Sequence, residues 1–203
     1  MIANEEVIVP FVVDRLKIQP ATLVKSFLLM SSVRALREEG FYDRYAELLP
    51  KEHHAAVLNI AASTWLPVEH AVAHYEACNR LEMTPSKMLE MGLRVSKHAQ
   101  GTFIKTIVSF VTSAGATPWT MLAQGRKMWE RAWIGSGITI VKVGPKEARI
   151  EVVGCPCAPI PYFRSGSRGI FQSVTQLLCT RAYVAEIPRL CVGLNLGYKV
   201  QWA

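Results

Sequence analysis

The sequence predicts an α+β fold in which an amino-terminal helical bundle packs on a small antiparallel sheet formed mainly by the carboxyl-terminal third. Apolar residues recur at helical spacing from Pro20 to Trp133, and after Gly135-Ser136-Gly137 the period falls to two. With 203 residues, 50% of them hydrophobic and 19% charged, the chain can bury a sizeable core. It reads as a single domain over residues 1–203, helical over about 20–134 and hairpin, helix, hairpin over about 135–203.

The first element, Glu6 to Val13, is β-branched and short, and Pro10 restricts it to a sheet edge. Leu23, Phe27, Met30 and Val33 then share a helical face that stops at Gly40, and Phe41 to Leu49 forms a second short helix closed by Pro50. A third helix holds Val57, Leu58 and Ile60 and breaks near Trp65-Leu66-Pro67. Pro67 with Glu69 in the first turn opens a fourth, and Thr84 ahead of Pro85 opens a fifth. Two more helices are expected at 102–112 and 118–133. Ile138 to Val143 and Ala148 to Val153 flank the turn Gly144-Pro145-Lys146-Glu147 as a hairpin, a helix follows over 166–178, and strand-like runs at 182–187 and 194–202 finish the chain.

The net charge of +7 is unevenly spread: residues 1–100 hold 11 Lys and Arg against 12 Asp and Glu, whereas residues 101–203 hold 12 against 4. Such a half suits an anionic partner or is simply a solvated basic face; no dense basic run or interleaved aromatic motif points to specific nucleic-acid binding. The acidic amino end lacks the features of a signal peptide, and the longest apolar stretch, Phe103 to Ala123, is broken by Lys105, Gly115 and Pro118, so no membrane span is expected. Five cysteines without a framework fit a reducing compartment, which places the protein in the cytoplasm.

The run Arg149 to Pro156, Phe163-Arg164, the helix with Gly166 and Gly169, the strand Ala182 to Glu186 and the terminal Tyr198 to Trp202 resemble the end of a paralogous family of myxobacterial proteins of about this length. The order of elements is also similar to ligand-binding domains of the 4-vinyl-reductase type, and more remotely to haem-nitric-oxide-binding domains. The resemblance covers about residues 130–202. It implies a helical half packed on an antiparallel sheet, a homodimer, and an apolar pocket near the helix-to-sheet junction that takes a hydrophobic or aromatic small molecule.

The candidate pocket residues are Phe103, Phe110, Met121, Trp129, Trp133, Phe163 and Phe171, with Arg164 as an anchor for a carboxylate. Trp129 and Trp133 are i and i+4 on one helix and so present one broad apolar face; such a stripe is also what a solid core requires. Cys155, Cys157, Cys179 and Cys191 form the alternative of a zinc site; the resemblance implies Cys155 as the first ligand and Cys191 close to a second, but Tyr198 stands at the final ligand position. His70 and His74, four apart, lack the H-E-x-x-H order and read as an exposed face, as does His53-His54. Haem held by His70, His74 or His98 has no attachment motif to support it, and no cofactor is expected. Nucleophile-elbow, phosphate-loop and dinucleotide-binding patterns are absent, so no catalytic residue is assigned. The expected function is therefore a non-catalytic small-molecule-binding or sensory domain. The alternatives are a homodimeric protein-interaction module with a solid core and a basic partner-binding face, or a metal- or haem-dependent sensor.

Overall fold

The computed structural model describes residues 5–59, 64–111 and 115–203, with side chains given in the long central helix up to residue 99. A five-stranded antiparallel sheet is built from β1 (Glu6–Val9), β5 (Gly137–Gly144), β6 (Glu147–Val153), β7 (Ala182–Glu186) and β8 (Leu196–Trp202), in the order β1-β5-β6-β8-β7. Its register explains its burial. Ile140 pairs with Ile150, Ile150 with Tyr198, and Val184 with Val200, so the even-numbered apolar residues of these strands lie on one face and are buried. On the other face Arg149 bridges Glu5 and Glu151, and Arg15 also reaches Glu151 at 2.6 Å. Arg149 and Lys142 of the basic carboxyl half thus pair with Glu5 and Glu6 of the amino end, whereas the Arg15–Glu151 pair runs the other way.

The helices are α1 (Ser26–Glu38), α2 (Tyr42–Leu48), α3 (His54–Leu58), α4 (Val68–Asn79), α5 (Pro85–Val111), α6 (Pro118–Leu122), α7 (Gly125–Ala132) and α8 (Pro161–Gln176). α8 lies on β7 and β8 and packs against α5, while α7 sits over β5. Thr84 caps α5 through its hydroxyl, which accepts from the Lys87 N–H at 3.2 Å. The α+β class, the hairpin, β7 and β8 agree with the sequence reading.

Four expectations need correction. Leu23 belongs to a short strand, β2 (Leu23–Lys25), which with β3 (Trp65–Pro67) and β4 (Trp133–Ile134) forms a second antiparallel sheet, ordered β3-β2-β4. The expected breaks between the fifth and sixth helices do not occur: α5 runs unbroken for 27 residues. The expected helix 118–133 is two helices, because the chain turns at Ala123-Gln124 before Gly125 seats against the Ile140 side chain. Finally α8 starts at Pro161, five residues earlier than the sequence suggests, with proline in the first turn where its missing N–H costs nothing. Among the described residues no helix is long and apolar enough to cross a membrane.

Candidate ligand-binding site

A cavity of about 140 Å³ lies between the helices and the buried face of the five-stranded sheet. Each wall follows from a periodicity. On α7, Gly125, Met128, Trp129 and Ala132 recur at spacings of three and four, so one stripe faces inward. On α8, Phe163, Ser167, Ile170, Phe171 and Val174 do the same. Ile138, Ile140 and Ile150 form the floor as alternate residues of β5 and β6, and Phe27, Tyr75, Val95 and Ser96 close it from α1, α4 and α5.

Trp129 and Trp133 both line the cavity and stack with ring centroids 5.6 Å apart, but not as neighbours on one helix. α7 ends at Ala132; Trp133 is extended, φ −136° and ψ 140°, because it is the first residue of β4 and pairs with Val24. The Trp129 indole N–H donates to Ser136 Oγ at 2.8 Å and Trp133 meets Phe163 edge-on at 6.0 Å, which fixes both large rings.

Of the other sequence candidates, Phe163 and Phe171 line the cavity, whereas Phe103 and Phe110 fall outside the described side chains. Met121 is fully buried but does not contribute to the cavity wall. Arg164 points away from it: its guanidinium donates to the Pro159 carbonyl at 3.0 Å and lies 3.3 Å from Glu186, tying the start of α8 to β7. Reasoning from sequence overlooked Phe27, Tyr75, Ser96 and the three isoleucines, which read as ordinary core.

The wall is electrically neutral among the described residues. Burial pushes the Tyr75 phenol well above its ordinary value, so it stays protonated. Apart from the tryptophan indole N–H groups, that of Trp129 already bonded to Ser136, the polar side-chain groups present are hydroxyls. Thr175 donates to the Phe171 carbonyl at 2.8 Å, and Ser167 is within reach of the Tyr198 hydroxyl, while Ser96, 3% exposed, lines the cavity with no hydrogen bond found among the described residues.

The four cysteines of the alternative zinc site do not converge. Cys155 and Cys157 are buried together, but Cys191 accepts from the Gly197 N–H at 3.4 Å and Cys179 donates to the Thr175 carbonyl at 3.3 Å at the far end of α8. Among the described residues no group of three or more His, Cys, Asp or Glu could hold a metal ion. The histidines also part company. His70 faces His53 across 2.9 Å, whereas His74 is fully buried, so the reading of both as one exposed face is corrected. His74 turns inward because Ala71, Tyr75 and Cys78 share its side of α4 in the core.

No family model matches the chain, and no curated protein matches it. Solved structures do. A structure titled an Fe(II) unliganded H-NOX protein from K. algicida is 8% identical, with a TM-score of 0.62 over 88% of this chain and 96% of that one. An oxygen-binding H-NOX domain related to soluble guanylate cyclases, in its oxygen complex, is 13% identical, with a TM-score of 0.55 over 88% and 94%. A third, from a study of haem redox potential and porphyrin distortion, is 13% identical, with a TM-score of 0.56 over 88% and 99%. The chain has the H-NOX-like fold. At these identities the likeness shows the fold alone, and it agrees with the haem-nitric-oxide-binding part of the sequence resemblance.

Proposed function

We propose that this chain is a non-catalytic small-molecule-binding or sensory domain whose guest occupies the apolar cavity between α7, α8 and the sheet. The observation that carries the reading is the cavity itself: two tryptophans, three phenylalanines and four isoleucines surround unfilled space where a solid core would place side chains. An apolar void is costly to keep, since each lining atom forgoes contacts, and a guest restores them. The fold likeness supports the same reading, because one neighbour is described as binding oxygen and another through its haem.

Trp133→Ala tests it. In a solid core, removing so large a ring costs about 3–5 kcal/mol. Beside an existing cavity the loss is expected at about 2–3 kcal/mol, and small aromatics should raise the Tm of the wild type but not of the variant. Full destabilisation, with no ligand moving the Tm of either protein, would refute the reading. That outcome would leave the interaction module, for which the amino-terminal arm offers an exposed apolar surface at Val12, Val13 and Leu16, the last 93% exposed.

A further inference from the structure

Resting on that ligand-binding reading, we infer that the cavity takes a neutral aromatic guest no larger than a fused bicycle, whose one polar atom meets the Ser96 hydroxyl, and that it does not take haem.

Haem iron in proteins is held by histidine, thiolate, phenolate, or methionine in company with histidine. None of the five histidines lines the cavity. His53 and His70 face each other, His54 meets the Leu49 carbonyl, His74 is held by Tyr45 and Ser32, and His98 meets Glu38. No cysteine lines it either. Residues 100–111, whose side chains are not described, contain no His, Cys, Tyr or Met, so they supply no iron ligand whatever their orientation. What remains is Met128, without a histidine partner, and Tyr75, whose burial disfavours the phenolate that iron would require.

Size and charge agree. A cavity of about 140 Å³ matches in scale an engineered apolar void of about 150 Å³ that binds benzene, and a porphyrin is several times larger than one such ring. Among the described residues the wall has no lysine or arginine, so a carboxylate carried into the cavity would lose its hydration without gaining a cationic partner. Two wall residues, Tyr75 and Ser96, carry hydroxyls with no hydrogen bond among the described residues; that of Ser96, the more deeply buried residue, can donate or accept. A ring bearing a single N–H or O–H supplies that bond and an otherwise apolar body.

The test titrates the full chain with indole, with indene as its hydrocarbon counterpart, and with hemin, reading Trp fluorescence, Tm and the Soret band. The expected result is one indole per chain and a raised Tm. Ser96→Ala should weaken indole about three- to tenfold, the worth of one hydrogen bond, while indene binding is unchanged and thereby shows the variant folded. Hemin should give no one-to-one Soret band that indole displaces. Such a band would overturn the inference while leaving the ligand-binding reading intact. Equal loss of indole and indene in Ser96→Ala would overturn the role of the hydroxyl. No response to any of the three would overturn both the inference and the reading.

Discussion

Replacing Gly92 by valine is expected to destabilise the protein by about 4 kcal/mol or more, enough to prevent accumulation of folded chain at ordinary temperatures. At this point α5 crosses α8 backbone to backbone. A Cβ on Gly92 would fall on the carbonyl oxygen of Gly166, and one on Gly169 would fall on that of Leu89. In both cases the obstacle is main chain, which has no rotamer by which to retreat, so the helices must separate. Gly92→Ala should follow the same direction at about 2–3 kcal/mol. The cavity lies one turn beyond the crossing, between Val95 and Ser96 of α5 and Ser167 and Ile170 of α8, so any surviving variant should have a wider and looser site. Urea unfolding of Gly92→Ala checks this: a loss under about 1 kcal/mol, with ligand response unchanged, would mean that the crossing is not the close contact described.

This crossing also shows what the sequence conceals. Glycine inside a helix costs about 1 kcal/mol, yet α5 passes through both Gly92 and Gly101. The glycine at 92 serves approach to another helix, a long-range fact that no local window contains. The second sheet was illegible for a similar reason. Its strands are two or three residues long, too short for alternation to register, and pair across 23–25, 65–67 and 133–134. The β5–β6 hairpin, with seven- and eight-residue strands around a turn, could be read directly. At the site, the large aromatics of α7 and α8 announced themselves by size and spacing. Ser96 and the isoleucine floor did not, since a cavity wall and a packed core use the same residue types. Arg164 was chosen by its neighbours in sequence, but Glu186, 22 positions away, takes its charge.

Acidification is expected to weaken the fold through His74. The ring is fully buried, with Tyr45 Oη 2.6 Å from Nδ1 and Ser32 Oγ 2.9 Å from Nε2, and Cys78 Sγ and the Tyr75 ring beside it. None of these partners carries a charge. A neutral imidazole satisfies both by accepting at one nitrogen and donating at the other. An imidazolium would sit in this apolar setting without a counter-ion, so burial lowers its pKa from 6.5 to about 3. The unfolded chain therefore binds a proton below pH 6.5 that the folded chain refuses. The stability contributed by the neutral ring is whole above that value and falls by about 1.4 kcal/mol per unit as the pH drops toward 3, roughly 5 kcal/mol in all. Between pH 7.5 and 5 the share due to His74 is about 2 kcal/mol. His74→Gln keeps a neutral donor and acceptor but cannot titrate in this range. It should be less stable than wild type at pH 7.5 by about 1–3 kcal/mol, because its amide does not reproduce the ring's geometry. The gap should narrow steadily on acidification. Urea unfolding of both proteins from pH 7.5 to 5 reads the difference, which removes the contribution of the other four histidines. Parallel pH profiles would show that His74 takes up its proton in the folded state as readily as in the unfolded chain.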